Sequence, residues 1–278
     1  MKKILITSLT SLCLVGFLVW NYGSGVLDFA YYYNAIQGNH PVISCQTLIT
    51  IPVQDNGEPL VIVQQQAPEI ICEYVLKDMI PYVGEKMLVR KSVAQRLTVA
   101  AKTLTQLLPG ARLKLAYGYR NSSIQKEYFD ATCARFKRLF VLPMILGWVG
   151  LSWTWLDQQV LEFAHLFAAY PAVAGHPTGG AVDITIVVPS KNDIFVELDM
   201  GGTVDDFLSK MAILPTFSSC INVEQQKNRC LLRHVMADAG FAPFNGEWWH
   251  FSYGDKEWAA YYQKSYALYN QINEKNVL

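Results

Sequence analysis

The chain is long enough for one large catalytic domain or two small ones, since 278 residues can bury a substantial core. Hydrophobic residues make up 51% and charged residues 17%, a composition that excludes intrinsic disorder, collagen and coiled coil. The 23 Lys and Arg residues balance 23 Asp and Glu residues, and the sequence pI is about 6.9. Without a basic excess or a basic stripe, the chain is not expected to bind nucleic acid.

The N-terminus has the pattern of an export segment. Two lysines follow the initial methionine, and the run Ile4–Trp20 carries no charge. Such a run is either a cleaved signal peptide or an uncleaved membrane anchor. Its length, the aromatic residues at its end and the lack of a clean cleavage site favour the anchor. Residues 1–25 are assigned to this segment and residues 26–278 to an exported domain.

Export would place the cysteines in an oxidising compartment. Five of them lie beyond the leader, an odd number, and no CxxC motif points to a zinc ribbon or a thioredoxin-like site. Cys220 with Cys230, and Cys45 with Cys72, are candidate disulfide pairs. Unpaired burial as small apolar side chains is an equally good interpretation.

Hydrophobic periodicity predicts the elements in chain order. Strands are predicted over Val42–Ile51 and Pro59–Val63, paired around the turn sequence Asp55-Asn56-Gly57. Apolar residues at helical spacing then predict a helix over Val93–Leu108, ended by Pro109-Gly110. Further along, the patterns predict a strand at Leu113–Tyr119, a helix at Gln125–Phe136, a strand at Ala181–Val188, a helix at Gln225–Ala239 ended by Gly240, and a strand at Trp248–Tyr253.

This mixed order predicts an α+β fold. The predicted architecture is a single catalytic domain with a central antiparallel sheet and flanking helices, preceded by the N-terminal hydrophobic segment. The uncharged stretch Leu139–Trp155 is too short for a comfortable membrane span and is interrupted by Pro143 and Gly147. It is interpreted as a buried hairpin or a hydrophobic flap, and the alternative is a segment that dips into the membrane.

The candidate catalytic and metal-binding side chains lie in two segments. They are Gly175–Asp183, a glycine-rich turn that leads into a strand, and Glu247–Phe251. Two imidazoles and one carboxylate are the usual ligands of a catalytic zinc ion, which makes His176, Asp183 and His250 candidate ligands of one Zn²⁺. A carboxylate that is not a ligand then removes the proton of the attacking water, and Glu247 is the candidate base. The turn lacks the lysine and the spacing of a phosphate-binding loop.

The spacing of Glu247 and His250 leaves their relative orientation open. Residues three apart share one face of a helix but point to opposite sides of a strand. The aromatic run favours a strand, so a bulge or a strand end is needed to bring Glu247 to the same side as His250.

These motifs together resemble a known family. His176-x-x-Gly179-x-Ala181-x-Asp183 followed by Glu247-Trp248-Trp249-His250 is similar to the D-alanyl-D-alanine dipeptidases of the VanX type, within the zinc D,D-peptidases of family M15. The resemblance extends over about residues 90–255. It includes Tyr117-Gly118-Tyr119-Arg120, the segment Met200-Gly201 with Asp205, and Asn228–Arg233 followed by Gly240-Phe241.

The resemblance implies a role for each matching residue. His176, Asp183 and His250 would hold zinc and Glu247 would be the general base. Arg120 would stabilise the oxyanion of the tetrahedral intermediate, although a structural salt bridge is the ordinary role of such an arginine. Asp205 would bind the free ammonium of a dipeptide. Trp248 and Trp249 are expected in the core and the pocket wall.

Four positions depart from the family pattern. They all concern the pocket, and they leave the metal ligands and the base intact: Ala174 for Ser, Asn121 for Pro, Gly202 for Ser or Thr, and Val204 for Phe.

The expected function is zinc-dependent hydrolysis of D-Ala-D-Ala or a similar cell-wall dipeptide, at the periplasmic or extracytoplasmic face of the bacterial inner membrane. A D,D-carboxypeptidase acting on peptidoglycan stem peptides is the alternative within the family, and Asp205 argues against it because a stem peptide has no amine at that point. A metal-free binding module of the same fold is the alternative from another class.

Overall fold

A computed structural model describes residues 32, 34, 42–145, 153–190, 194–204 and 211–273 of the chain. The predicted export segment, residues 1–25, lies outside this described part. Within it, no helix combines the length and the apolar character needed to cross a membrane.

A six-stranded sheet forms the centre of the fold. Its main path runs β2-β4-β5-β8-β7, and β6 pairs with β5 beyond the end of β8. Only β2 and β4 run parallel among these described strands, so the predicted α+β class with a largely antiparallel sheet is confirmed. The described strands are β1 (Leu60–Ile62), β2 (Ile71–Cys72), β3 (Leu88–Arg90), β4 (Arg112–Tyr117), β5 (Ala181–Pro189), β6 (Phe195–Glu197), β7 (Ala242–Pro243) and β8 (His250–Ser252).

Helices flank this sheet, and three of the four longest described helices fall where periodicity predicts them, whereas the helix that begins at Trp153 was not predicted. The described helices are α1 (Cys45–Thr50), α2 (Val63–Gln66), α3 (Ile80–Val83), α4 (Lys91–Leu107), α5 (Ser122–Ile145), α6 (Trp153–His165), α7 (Val223–Asp238) and α8 (Lys256–Tyr261). Single 3₁₀ turns occur at Lys77–Met79, Pro171–Val173, His176–Thr178 and Met211–Ile213.

The helix predicted over Val93–Leu108 is α4, which buries its apolar side in the main core. The helix predicted over Gln225–Ala239 is α7. It begins with a capping box between Asn222 and Gln225, and the left-handed backbone of Gly240 (φ 86°) follows its last turn. Both predictions are confirmed. The apolar periodicity of each helix agrees with its packing, and α7 has its own cap in addition.

The predicted strand pair around Asp55-Asn56-Gly57 is wrong. Residues 45–50 form helix α1, because the Ser44 side chain accepts a hydrogen bond from the Thr47 backbone at its start. One face of α1 buries Cys45 and Leu48 in a small core with Val173. The second predicted strand exists as β1, but its partner is β3, which lies much further along the chain.

The uncharged stretch at residues 139–155 is described only in part. Helix α5 continues to Ile145 and α6 begins at Trp153, while residues 146–152 lie outside the described part. The two helices contact each other, and Phe136 of α5 packs against Phe163 of α6 with ring centroids 6.4 Å apart.

The described cysteines are all unpaired. Cys45 is buried, Cys72 and Cys133 are partly buried, and Cys220 and Cys230 are exposed. The candidate pairings of Cys220 with Cys230 and of Cys45 with Cys72 are therefore not formed, and the interpretation as an unpaired buried side chain holds for Cys45 but not for the exposed Cys220 and Cys230.

Candidate metal centre and active site

His176 lies in the glycine-rich turn that leads into β5, and its ring is fixed by the backbone. Its Nδ1 lies 2.7 Å from the carbonyl oxygen of Gly118. Since a carbonyl only accepts hydrogen bonds, Nδ1 carries the proton and donates it, which leaves Nε2 with a free lone pair. This Nε2 lies 3.3 Å from Oδ2 of Asp183.

The two glycines after His176 make the turn possible. Gly179 has the left-handed backbone angle φ of 72°. At Gly180 a Cβ atom would lie 2.5 Å from the carbonyl oxygen of Tyr253, so only glycine fits against that backbone. The turn thereby brings His176 back toward the start of the strand that carries Asp183.

Strand register brings Asp183 and His250 together. They are directly paired on the antiparallel strands β5 and β8, where opposite residues on one face lie close. Oδ1 of Asp183 is 3.0 Å from Nδ1 of His250. Asp183 thus offers one carboxylate oxygen to each histidine.

The three predicted ligands form one buried group. Potential ligand atoms of His176, Asp183 and His250 all lie within 4.8 Å of one another. Two imidazole nitrogens and one carboxylate are the protein ligands of many catalytic zinc sites, in which water or substrate takes the fourth position. The donor set therefore fits zinc.

The electrostatics of this group favour a positive charge. Burial opposes ionisation of Asp183, but the charges and hydrogen bonds of His176 and His250 hold its pKa below the usual range. Burial likewise disfavours the charged form of His250, yet the neighbouring carboxylates of Asp183 and Glu257 raise its pKa well above the ordinary value. The carboxylates that stabilise an imidazolium here would equally stabilise a bound cation.

Glu247 reaches the same pocket from a turn just before β8. The backbone N–H of His250 donates to the Glu247 carbonyl at 3.3 Å, which closes the turn. This turn resolves the open question of spacing, because it places both side chains in the wall of one pocket. Burial raises the pKa of the Glu247 carboxyl to about 8; nearby His250 opposes this effect and Asp183 adds to it.

Arg120 lies in the same pocket and is almost fully buried. Its Nη1 donates to Gln125 at 3.0 Å, and its guanidinium stacks over the ring of Tyr117, 4.3 Å from the centroid. Among the described residues, no carboxylate lies within ion-pair distance of it, and its Nε has no hydrogen-bond partner. This arrangement differs from an ordinary structural salt bridge and suits a donor to a ligand.

The pocket also contains residues that no motif singled out. Glu257 of α8 and His165 at the end of α6 line it beside the metal group. The Nδ1 of His165 accepts a hydrogen bond from the Tyr170 backbone at 3.0 Å, so the neutral ring carries its proton on Nε2. Among the described residues this buried Nε2 has no partner. Because neither residue belongs to a spaced motif, the sequence does not indicate that they lie in the pocket.

Two further predictions have different outcomes. Asp205 lies outside the described residues, so its role stays a prediction. Trp248 and Trp249 are buried in the main core, with ring centroids 5.2 Å apart, and they do not line the pocket of the metal group.

Comparison with known proteins agrees with this geometry. Residues 156–272 match the family model Peptidase_M15, described as D-ala-D-ala dipeptidase, and this range includes the three candidate ligands and Glu247. This segment is therefore similar to the M15 peptidases. It is also 28% identical to a D-alanyl-D-alanine dipeptidase of Synechocystis sp. over 245 residues, which cover 81% of this chain and 93% of that protein.

The chain also has similarities among solved structures. One is the vancomycin-resistance D,D-pentapeptidase VanY in complex with Zn(II), which is 16% identical in sequence. The match covers 80% of this chain and 96% of the VanY chain, with a TM-score of 0.37. Another is VanYB in complex with D-alanine-D-alanine, which is 15% identical in sequence. The match covers 78% of this chain and 93% of the VanYB chain, with a TM-score of 0.39.

Some of the departures from the family pattern have a structural explanation. Asn121, where the family has proline, accepts a hydrogen bond from the Ser123 backbone at 2.7 Å and so caps the start of α5. Ala174, where the family has serine, lines the pocket and removes a hydroxyl from its wall. A Cβ on Gly202 would lie 2.8 Å from Ile213, so the larger Ser or Thr requires a shift there.

Proposed function

We propose that this chain is a zinc-dependent dipeptidase that hydrolyses D-Ala-D-Ala or a similar cell-wall dipeptide. The observation that carries the proposal is the buried His176–Asp183–His250 group with the carboxylate of Glu247 in the same pocket. The match to the M15 family and to a D-alanyl-D-alanine dipeptidase supports the substrate class.

The three candidate ligands would hold the zinc ion that activates water and substrate. Zinc held by them would polarise the scissile carbonyl and lower the pKa of a water molecule to near neutrality. The ligands themselves are fixed before binding, His176 by the Gly118 carbonyl and Asp183 by its strand register with His250. Pre-positioned ligands of this kind hold the cation in one geometry.

Glu247 would move the proton. Its carboxylate is buried beside the ligands and accepts the proton of the attacking water, then delivers it to the leaving amine. A buried site suits this role because burial brings the pKa of the carboxyl closer to the working pH than that of an exposed glutamate.

Arg120 would stabilise the charge that develops on the carbonyl oxygen. Its backbone N–H donates to the His176 carbonyl at 3.2 Å, which ties the arginine segment to the ligand turn. The guanidinium is further held by Gln125 and Tyr117, so its position is set before substrate binds.

Replacing Arg120 by lysine is expected to lower kcat about 10²- to 10³-fold, because the loss of a fixed oxyanion donor acts on the transition state. KM should change much less, and bound zinc should stay at wild-type content. Arg96→Lys is the matched control, since Arg96 also stacks on a tyrosine ring, 3.8 Å from the centroid of Tyr253, but does not line this pocket. An equal loss of kcat in both variants would contradict the oxyanion role.

The substrate experiment compares D-Ala-D-Ala with an N-acylated tripeptide that ends in the same pair. A dipeptidase should prefer the free dipeptide by at least about tenfold in kcat/KM, since the buried ammonium of the substrate needs an anionic partner. Asp205→Asn should reduce turnover of the dipeptide more than that of the acylated peptide. A preference for the acylated peptide would instead identify a D,D-carboxypeptidase.

We further propose that the domain works outside the cytoplasm. Support comes from the lysine pair and the uncharged run at residues 4–20, which are typical of a signal peptide or an anchor. Such a position suits turnover or scavenging of cell-wall peptides.

A further inference from the structure

Glu257 contacts the metal group from the side opposite to Asp183. Its Oε2 lies 3.6 Å from Nε2 of His250, and both side chains are nearly buried, with 13% and 11% of their surfaces exposed. The residue comes from the first turn of α8, which begins at Lys256, so it reaches His250 from an element separate from the sheet.

The two nitrogens of His250 have different neighbours. Nδ1 faces Asp183 at 3.0 Å, on the side where the candidate ligand atoms converge, and Nε2 faces Glu257. A neutral imidazole that binds a metal through Nδ1 must carry its proton on Nε2. That buried N–H needs an acceptor, and Glu257 is the carboxylate that lies there.

We infer that Glu257 is a positioning residue for the metal centre, a carboxylate that accepts a hydrogen bond from the Nε2–H of His250 and so fixes the ring with Nδ1 toward the cation. This inference rests on the proposed zinc site. A carboxylate behind a histidine ligand selects the tautomer, fixes the ring and makes the ligating nitrogen more basic. Glu257 should therefore act directly on the affinity for zinc. It should affect turnover only because that affinity determines how much zinc is bound.

The positions of the side chains distinguish the role of Glu257 from that of a metal ligand and from that of the general base. Glu257 is not in the group whose atoms converge on one point, so it is not expected to ligate the metal directly. Glu247, the candidate base, enters the pocket from the turn before β8, so the two glutamates occupy separate elements. Removing Glu257 should then weaken the metal site while the candidate base is retained.

The test measures the zinc dissociation constant of the full-length protein by competition with a chromophoric chelator. Glu257→Ala should weaken zinc binding about 10- to 100-fold. Glu257→Gln should lose less zinc affinity than Glu257→Ala. The glutamine amide oxygen can still accept a hydrogen bond from Nε2–H, although it carries no charge. Melting temperatures of the metal-free proteins establish that each variant is folded.

Asp238→Asn is the matched control. Asp238 pairs with His234 at 3.5 Å, but both are about half exposed on α7, so this variant should keep wild-type zinc affinity. Wild-type affinity in both folded Glu257 variants would overturn the inference and leave the proposed function intact. Failure of the wild-type protein to bind zinc would overturn the proposed function and this inference with it.

Discussion

Replacing Glu247 by glutamine is expected to abolish most of the hydrolytic activity while zinc stays bound. Glutamine has nearly the same shape as glutamate but cannot accept the proton of the attacking water. General acid–base catalysis by one side chain contributes about 10²- to 10⁴-fold, and kcat should fall by that factor. The three candidate ligands do not include Glu247, so the metal content should be unchanged.

Single-turnover measurement of D-alanine release, together with metal analysis of the same sample, checks this prediction. Glu197→Gln is a suitable control, because Glu197 lies on β6 in an exposed ion pair with Lys114 and does not line the pocket. If Glu247→Gln turned over D-Ala-D-Ala as fast as the wild type, Glu247 would not be the base.

Replacing Asp183 by alanine is expected to remove both zinc and activity. Asp183 contacts both histidines, at 3.3 Å and 3.0 Å, so its loss removes one ligand and leaves the other two without their shared carboxylate. Partners behind a ligand already account for about 10- to 100-fold in metal affinity, so loss of the ligand itself should exceed about 100-fold.

Zinc content after dialysis and the zinc dissociation constant check this second prediction. Asp199→Asn is the control, because Asp199 is a loop carboxylate that bonds Gln225 at the start of α7, away from the pocket. A folded Asp183→Ala protein that retained stoichiometric zinc with wild-type affinity would show that the metal binds elsewhere.

Local sequence patterns predicted the elements whose own residues determine them. Helix α4 has a continuous apolar face, and α7 has a capping box and a terminal glycine, so both were predictable. Residues 42–51 have the sequence pattern of a strand, but residues 45–50 form the short helix α1, which depends on one cap and on contacts with the distant Val173. The pairing of β1 with β3 is likewise a property of the tertiary fold.

The candidate site was predictable as a set of residues but not as an arrangement. Motif spacing identified His176, Asp183 and His250, whereas their convergence depends on the cross-strand register of Asp183 with His250. The orientation of Glu247 depends on a turn that the spacing left open. Glu257 and His165 belong to no motif, and only the packing of α8 and α6 beside the sheet brings them to the pocket.

The most direct measurement follows free D-alanine released from D-Ala-D-Ala by the purified full-length protein, with its zinc content determined in parallel. Release should stop when a chelator removes the metal and should return when zinc is added back, whereas Asp183→Ala should stay inactive in all conditions. Undiminished release from protein shown to be free of metal would contradict a zinc-dependent dipeptidase.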